Sequence, residues 1–279
     1  MQIIARLPNA GLANKLLIWS EAIVFANRYG IAPADVIVYP WFDLHLKRIL
    51  RRDRDQRIYG HFFKTNDILE RIKASFAGRI IKNPNFHTEA QIDCSYIFSD
   101  FPDPDDYFEY LRGHEQLIRL ALLDMVRERF MNMIDGFPSY DVAIHVRRGD
   151  FPRHLRLADE EIAAMIAGVE KAATRRLKFY LFSDGAQEEL RAIAGHDNIE
   201  IIQGNPAIVD LLLMSKAKII IPAIGSTFSY FSAFLSEALI IRHKNDNFGA
   251  IRKENKTEFR YAEMPLSPAI VRIMRDIGM

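Results

Sequence analysis

Two neighbouring arginines in the middle of the chain have the clearest capacity for chemistry. Arg147 and Arg148 follow the apolar run 142–146, which has the composition of a buried strand. A guanidinium at the end of a buried strand is costly unless it meets an anion. Its planar fork suits two oxygens of a phosphate. The pair therefore predicts an anion site, and an ion pair with Asp150 is the structural alternative for one of the two.

The alternation of side chains along this strand separates the two arginines. Successive side chains point to opposite faces, so we expect His145 and Arg147 on one face and Val146 and Arg148 on the other. Arg147 is therefore the stronger candidate for an anion contact, and Arg148 is the candidate for a purely structural ion pair.

A second polar segment, Gly-Ser-Thr-Phe-Ser at 225–229, lies where a helix is expected to begin. Ser or Thr at a helix start can cap the helix through its hydroxyl. The exposed N–H groups of a helix start also bind phosphate. These two roles are compatible, so the segment is a candidate phosphate site as well as a cap.

Two carboxylates are candidates for contacts with hydroxyl or amino groups of a ligand. Asp184 follows the apolar run 179–182 and precedes Gly185, and an N-cap role for the next helix is equally well supported. Asp210 lies in an otherwise apolar helical run, which favours a partner in a crevice over a solvated position. The turn Gly-Leu-Ala-Asn-Lys at 11–15, after the first strand, is typical of an ordinary tight turn.

The order of apolar runs in the second half predicts an α/β fold. Strand-like runs alternate with helical runs, as in a parallel sheet wrapped by helices. Strands are predicted at 142–146, 179–182, 199–202, 219–221 and 239–241, and helices at 159–173, 187–194, 207–215 and 228–235. Ligands of such sheets bind beyond the carboxyl ends of the strands. The polar segments that follow these strands are therefore expected to line one crevice.

The first half is less regular. A strand at 2–7, a helix at 12–29 that ends at Gly30, and a strand at 35–39 are predicted, followed by short apolar pieces interrupted by prolines. A long helix is predicted over 106–134. The turn at 135–138 marks a domain boundary, which gives domains 1–135 and 136–279.

Composition excludes few functions. The 279 residues carry a formal net charge of +1, so the total charge implies no polyanion partner. The single cysteine, Cys94, excludes an intramolecular disulfide and a thiolate metal cluster. No uncharged apolar run approaches the roughly 18–20 residues of a membrane span. We expect a cytoplasmic protein, with peripheral contact at the inner membrane face as an option.

A basic cluster between residues 47 and 57 raises the question of nucleic acid. Asp53 and Asp55 are interleaved with its cations, whereas a surface that follows phosphates needs unopposed charge. A solvated face, or contact with an anionic acceptor or membrane surface, is the preferred interpretation. The cations are Lys47, Arg48, Arg51, Arg52, Arg54 and Arg57.

Four segments, in order along the chain, carry a family likeness. His-Val-Arg-Arg-Gly-Asp at 145–150 resembles the H-x-R-R-x-D motif of the α-1,2-fucosyltransferases of glycosyltransferase family 11 and of their α-1,6 and protein O-fucosyltransferase relatives. The turn at 11–15 is similar to their G-x-G-N-Q turn, and Phe-Ser-Asp at 182–184 to their F-S-D segment. Residues 210–215 together with 226–229 resemble their last donor-binding block.

The resemblance implies a GT-B-like fold, with two Rossmann-like domains and the active site in the cleft between them. Domain 1–135 would be the acceptor side and domain 136–279 would bind the GDP-sugar. The implied activity is inverting, metal-independent transfer of fucose from GDP-fucose to a glycan hydroxyl, α-1,2 to galactose, with no cofactor. The resemblance makes Arg147 catalytic and implies a donor site of Gly11, Asn14, Lys15, His145, Arg147, Arg148, Asp150, Ser183, Asp184, Asp210, Ser226, Thr227, Phe228 and Ser229.

Charge development suggests what these residues would do. Cleavage of a sugar–phosphate bond leaves negative charge on the diphosphate, which Arg147 and a helix N-terminus would stabilise. Asp43, Glu21 or the diphosphate itself are the candidates for the base. Ala13 and Lys15 depart from the family turn, which bears on the acceptor more than on the donor and leaves an inactive nucleotide-sugar-binding protein as an alternative. A transferase that uses another GDP-sugar is a further alternative. The oligomeric state is open.

Overall fold

Two parallel β-sheets organise the chain, one in each of two units. The protein is described by a computed structural model. The residues that the structure describes are 1–41, 58–65, 67–74, 79–86, 89–149, 156–195, 197–253, 255–261 and 266–279. The chain divides into Met1–Asp135 and Gly136–Met279, and the division falls at the turn noted in the sequence.

The first unit is built on a four-stranded parallel sheet in the order β2-β1-β4-β3. Its strands are β1 (Gln2–Arg6), β2 (Ile37–Tyr39), β3 (Arg79–Lys82) and β4 (Cys94–Phe98). The helices described in this unit are α1 (Leu12–Arg28), α2 (Asp67–Ala74), α3 (Glu115–Met125) and α4 (Glu128–Asp135), with short 3-10 helices at Pro33–Asp35 and Gly60–Phe62.

Helix α1 forms as its sequence predicts. Its apolar residues recur at spacings of three and four, and the helix packs against β1 and β4 with nearly all of its first fifteen residues buried. Gly30 has a left-handed φ of +69°, and the N–H of Ile31 returns to the carbonyl of Ala26. This glycine therefore ends the helix, in agreement with the sequence.

The single long helix predicted over 106–134 is wrong. Turns occupy residues 104–113, and α3 and α4 are separated at Val126, whose backbone is extended. Val126 pairs with Phe63 as an isolated antiparallel bridge, and Arg127 N–H donates to the carbonyl of Phe62. The helix is therefore interrupted by Phe62 and Phe63, which lie more than 60 residues earlier in the chain. No local sequence pattern could have indicated this contact. Elements α2, β3 and β4 lie in the stretch whose sequence looked irregular.

The second unit is built on a six-stranded parallel sheet in the order β10-β9-β8-β5-β6-β7. The strands are β5 (Val142–Val146), β6 (Phe179–Ser183), β7 (Ile199–Ile202), β8 (Ile219–Ile221), β9 (Leu239–His243) and β10 (Glu258–Tyr261). The helices are α5 (Asp159–Ala172), α6 (Gln187–Leu190), α7 (Ala207–Ser215), α8 (Thr227–Phe234) and α9 (Pro268–Asp276).

The predicted strands of this unit are confirmed within two residues, but helix α6 is shorter than predicted. It begins at the predicted residue 187 and ends at 190 rather than 194. Strand β10 and helix α9 complete the unit and were not predicted. Buried residues of α5 and α9 pack on the face of the sheet that Val142, Ile144 and Val146 present.

The chain reverses direction across the second sheet between β5 and β8. It runs outward from β5 through β6 to β7, then returns to β8 on the other side of β5 and continues through β9 to β10. The carboxyl ends of β5 and β8 are therefore neighbours at a topological switch point, where open α/β sheets bind their ligands. With two such parallel sheets, the predicted fold class of two Rossmann-like domains is confirmed. No helix in the described part of the chain is long and apolar enough to cross a bilayer.

Candidate functional site

The loops after β5 and β6 are tied together by side-chain to backbone hydrogen bonds. Ser183 Oγ donates to the carbonyl of Val146 at 2.6 Å and accepts from Gly185 N at 3.0 Å. Asp184 Oδ1 accepts from the backbone N–H of Arg148 at 2.6 Å. Ser183 and Asp184, both predicted as ligand contacts, therefore fix the arginine-bearing loop. The N-cap alternative for Asp184 is wrong, because α6 begins three residues later.

Two glycines permit this close approach of the loops. A Cβ added to Gly149 would lie 2.6 Å from Asp184 Oδ2, and one added to Gly185 would lie 2.8 Å from Arg148 Cβ. Both distances are shorter than side chains tolerate. The glycines of the segments 145–150 and 182–185 thus have a packing reason, which is independent of any ligand.

Arg148 is a structural residue. Its guanidinium is buried, forms an ion pair with Asp159 at the start of α5, and donates to the carbonyl of Leu157 at 3.3 Å. The sequence offered a structural ion pair with Asp150 as the alternative for one of the two arginines. Arg148 does form an ion pair, but with Asp159. Asp150, the predicted partner and a candidate site residue, lies outside the described residues. Arg148 therefore supports the loop, and because it also lines the crevice beside β5, its contact with a ligand stays a prediction.

The His145 ring lies near Phe228 of α8 and Arg148 pairs with Asp159 of α5, so these two side chains point to opposite faces of the sheet, while Arg147 lies beyond the end of β5. Arg147 is partly exposed, and the His145 ring lies 5.7 Å from the ring of Phe228 on α8. Burial, aided by the charge of Arg147, lowers the pKa of His145 to about 3. The imidazole is therefore neutral at physiological pH. Its Nδ1 is buried and makes no hydrogen bond within the described part of the chain.

The loop between β8 and α8 presents a buried hydroxyl at the helix start. Ser226 occupies the N-cap of α8, but its side chain makes no capping bond, and its Oγ is buried without a hydrogen bond among the described residues. The expected capping role of Ser226 is therefore wrong. Ser229 Oγ accepts from Ala223 N at 3.2 Å and donates to the carbonyl of Ser226, so it braces the loop. Thr227 is partly exposed in the first turn.

A crevice opens beside the carboxyl end of β5, between described residues that follow β5 and the loop after β8. It brings together three guanidinium groups and one imidazole. Its lining consists of His145, Val146, Arg147, Arg148, Arg156, Leu157, Ile162, Ala223 and Ile224. Arg148 pairs with Asp159 and Arg156 lies 3.7 Å from Glu189, so Arg147 is the principal candidate in this crevice for contact with an anionic group of a ligand.

Arg156 is the residue of this crevice that the sequence analysis missed. Its Nη2 donates to the carbonyl of Gly149 at 3.1 Å, and its Nη1 lies 3.7 Å from Glu189 Oε1. It is only partly exposed and belongs to none of the recognised segments. The only signal in the sequence was that Arg156 is a cation nine residues after Arg147. The fold brings its guanidinium back to Gly149 and to the crevice that Arg147 lines.

A larger cleft lies at the opposite edge of the sheet, before β5, β6 and β7. Its cations are matched by carboxylates: Arg175 pairs with Asp141, Arg176 pairs with Asp197, and Lys178 Nζ lies 3.4 Å from Glu200 Oε2. The cleft is therefore a surface of ion pairs. Ligands of parallel sheets bind at the other edge.

Asp210 is partly buried near the start of α7. Burial raises the pKa of its carboxyl to about 7, and a 3.0 Å hydrogen bond from Asn205 Nδ2 opposes that rise. Asp210 is therefore not merely solvated, since Asn205 donates to it, and its contact with a ligand stays a prediction. Gln203 Nε2 donates to the carbonyl of Gly185 at 2.8 Å, which joins the loops after β6 and β7.

The candidates at 11–15 belong to the first unit. Gly11 is extended at the N-cap of α1, and Asn14 is partly exposed in its first turn. Lys15 is fully buried, and its Nζ donates to the carbonyl of Pro40 at 2.9 Å. Lys15 therefore fastens the loop after β2, so we correct its assignment from a ligand contact to a structural residue.

The candidates for a base have unequal positions. Glu21 is buried on α1, and burial, followed by the charge of Asp100, raises its pKa to about 8. Its carboxyl is therefore protonated at neutral pH and is a poor resting base. Asp43 and the basic cluster 47–57 lie outside the described residues. Among those that are described, no group of three or more His, Cys, Asp or Glu side chains could hold a metal ion.

Solved structures of similar fold include fucosyltransferase NodZ. NodZ α-1,6-fucosyltransferase soaked with GDP-fucose is 14% identical with a TM-score of 0.59, over 90% of this chain and 98% of that one. NodZ co-crystallized with GDP is 15% identical with a TM-score of 0.57, over 88% and 96%. Fucosyltransferase NodZ from Bradyrhizobium is 15% identical with a TM-score of 0.56, over 85% and 94%. At this identity the likeness concerns the fold.

The family is established by sequence. No curated protein matches the chain in a direct sequence comparison. The sequence profile of glycosyl transferase family 11 matches residues 13–262, which include the β5 loop, the segment after β6 and the loop before α8. This match covers most of the chain and both units, and it agrees with the family resemblance of the four segments. The chain therefore belongs to glycosyl transferase family 11.

Proposed function

We propose that this protein transfers fucose from GDP-fucose to a hydroxyl of a glycan acceptor, with inversion at the sugar carbon and without a metal ion. The observation that carries the proposal is the crevice at the β5–β8 switch point. There Arg147, Arg156 and the neutral imidazole of His145 line one crevice together with Ala223 and Ile224, which precede α8. Family membership supports glycosyl transfer as the reaction class.

The donor diphosphate is assigned to this crevice. Arg147 would hold phosphate oxygens with its planar fork and stabilise the charge that grows as the sugar–phosphate bond breaks. The first-turn N–H groups of α8 and the Ser226 hydroxyl would contact the same group. His145 would do so without adding charge. Arg148 would act indirectly, because its bond to Asp159 fixes the loop that carries Arg147.

The nucleoside is assigned to the loops after β6 and β7. Asp184 is exposed beside Gly185, and Asp210 is a partly buried carboxyl on α7, so both are proposed to contact ribose hydroxyl or guanine amino groups. Asp184 retains this role alongside its bond to Arg148 N–H, because a carboxylate accepts several hydrogen bonds.

The acceptor side is assigned to the first unit, with galactose as the proposed acceptor and an α-1,2 linkage. With Glu21 protonated at neutral pH, the departing diphosphate is the preferred proton acceptor. The cytoplasm is the proposed location, with contact to an anionic membrane through the basic cluster 47–57 as an additional proposal.

The test is calorimetric titration with GDP-fucose, GDP-mannose, UDP-galactose and GDP, followed by product analysis with a panel of galactosides. We expect GDP-fucose and GDP to bind and UDP-galactose not to bind. A preference for GDP-mannose would replace fucose by another GDP-sugar. Tight GDP-fucose binding without transfer to any acceptor, and without slow hydrolysis, would favour an inactive nucleotide-sugar-binding protein.

A further inference from the structure

A tyrosine buried behind the β8–α8 loop connects that loop to an ion-pair network. The Tyr230 hydroxyl accepts the backbone N–H of Gly225 at 2.9 Å and donates to Asp246 Oδ2 at 2.8 Å. The tyrosine is fully buried, and its ring stacks on Phe248 with centroids 4.9 Å apart. Tyr230 lies just outside the four segments that carry the family likeness.

The network behind Tyr230 is buried and multiply bonded. Arg242 donates to both carboxylate oxygens of Asp246, at 2.9 Å and 2.8 Å. It also donates to Glu258 Oε1 at 2.6 Å and to the carbonyl of Phe248 at 2.6 Å. The three charged side chains are between 2% and 5% exposed. A buried bidentate pair with further hydrogen bonds is a rigid anchor.

The residue that Tyr230 holds sits at the turn into α8. Gly225 has a left-handed φ of +66° and is exposed, and a Cβ there would contact nothing. Gly225 has no side chain that could anchor the turn, and its backbone N–H is held by the Tyr230 hydroxyl instead. Ser229 braces the loop at Ala223, and Tyr230 braces it at Gly225, immediately before the buried hydroxyl of Ser226.

We propose that Tyr230 is a positioning residue for the donor diphosphate. Its hydroxyl transmits the rigidity of the Arg242–Asp246–Glu258 network to Gly225, and so fixes the Ser226 hydroxyl and the first N–H groups of α8 before the ligand arrives. Preorganised groups bind and stabilise charge without an ordering cost. This inference rests on the proposed diphosphate site. It adds Tyr230 to that site as a residue that acts through Gly225 and touches no ligand.

The test is Tyr230→Phe, with GDP and guanosine titrated in parallel. Phenylalanine keeps the stack on Phe248 and removes only the hydroxyl. We expect roughly 3- to 10-fold weaker GDP binding, as for the loss of about one net hydrogen bond, with guanosine binding unchanged. Tyr261→Phe is the matched control, because the Tyr261 hydroxyl donates to the carbonyl of Ala164 on α5 at 3.2 Å. This control should leave both ligands unaffected.

The outcomes separate the two hypotheses. If wild-type protein binds GDP and folded Tyr230→Phe binds both ligands as wild type does, the positioning role is overturned and the proposed function stands. Equal weakening of GDP and guanosine, or the same GDP loss in Tyr261→Phe, also overturns it. If wild-type protein binds no GDP, both hypotheses fall.

A measurement on the wild-type protein guards against a variant that does not fold. Amide hydrogen exchange of residues 223–230 should be slow without GDP and change little when GDP is added. A loop that exchanges freely until GDP binds would overturn preorganisation.

Discussion

The two units of this protein differ in the charge that they gather at the carboxyl ends of their strands. In the second unit, Arg147 and Arg156 line the crevice beside β5. In the first unit both signs occur among the described residues: the exposed Arg6 ends β1, the exposed Lys82 ends β3 and the exposed Asp100 follows β4. Guanidinium groups thus share one crevice at the second edge, whereas the described residues of the first edge mix cations with a carboxylate.

Both units nevertheless fix their loops in the same way. In the second unit, Ser183 and Asp184 tie the loop after β6 to the loop after β5. In the first, Asn83 adopts a φ of 42°, and its Oδ1 accepts from Ser99 N at 2.8 Å and Asp100 N at 3.2 Å. The difference therefore lies in what the rigid loops present. A diphosphate demands fixed positive groups, whereas a neutral glycan hydroxyl demands no particular charge, so only the second edge carries a readable chemical pattern.

The largest effect is expected at the cationic edge, from Arg147→Lys. Lysine keeps the charge but cannot hold two oxygens in one plane. Loss of such a preorganised contact costs on the order of 100- to 1,000-fold in turnover. Donor-dependent transfer by protein with a native melting transition is the measurement.

The matched variant is Arg148→Lys, which should weaken the ion pair that Arg148 forms with Asp159. It should lower the melting temperature and reduce turnover less than Arg147→Lys does. Near-full turnover in folded Arg147→Lys would make Arg147 a structural residue as well, and the contrast between the edges would lose its chemical meaning.

A smaller effect at the same edge is expected from replacing Ser226 and Thr227 together by Ala. Two hydroxyl contacts to phosphate contribute roughly 1–3 kcal/mol together. GDP affinity measured by calorimetry should fall accordingly, while the melting temperature changes little. Ser229→Ala is the control, because its hydroxyl braces Ala223 and should affect stability first. Unchanged GDP affinity in the folded double variant would show that no phosphate rests on this helix start.

In the first unit, the pH dependence of stability should reveal the raised pKa of Glu21. Its pKa is about 8 in the folded protein against an ordinary value of 4.5, so the folded state keeps a proton that the unfolded state loses. Its contribution to stability is full below about pH 4.5 and declines as the pH rises to about 8. Glu21→Gln should remove this decline.

Urea unfolding at several pH values between 5 and 9 measures the effect. The stability of Glu21→Gln relative to wild type should rise with pH by roughly 1–4 kcal/mol over this range. If the unfolding free energies of the two proteins changed with pH in parallel, Glu21 would ionise with an ordinary pKa and its carboxyl would be open to solvent.

The smallest expected effect is that of metal removal. If arginines and a helix start neutralise the leaving diphosphate, transfer in excess EDTA should stay within about twofold of the untreated rate. Loss of activity in EDTA, restored by Mn²⁺ but not by NaCl of equal ionic strength, would replace the arginine mechanism with a metal-assisted one.

The sequence by itself determined the elements whose signals are local. The apolar runs of β5 to β9 are short, bounded by polar loops and separated by helical repeats, so their bounds follow from the pattern. Helix α1 and its end at Gly30 follow from spacing and from the freedom of glycine. Alternation along β5 correctly placed His145 away from the face that Val142, Ile144 and Val146 present, because it depends only on strand geometry. The separation of Arg147 from Arg148 stays a prediction.

Only the tertiary structure decided where each polar side chain finds its partner. Phe63 pairs with Val126 and so interrupts the predicted long helix, Asp159 forms an ion pair with Arg148, and the Pro40 carbonyl accepts a hydrogen bond from Lys15. Each of these partners lies between 11 and 63 residues away along the chain. A local pattern reports which residues are able to bind a ligand. Packing decides which of them are already bound, because buried polar groups must be paired wherever the fold supplies a partner.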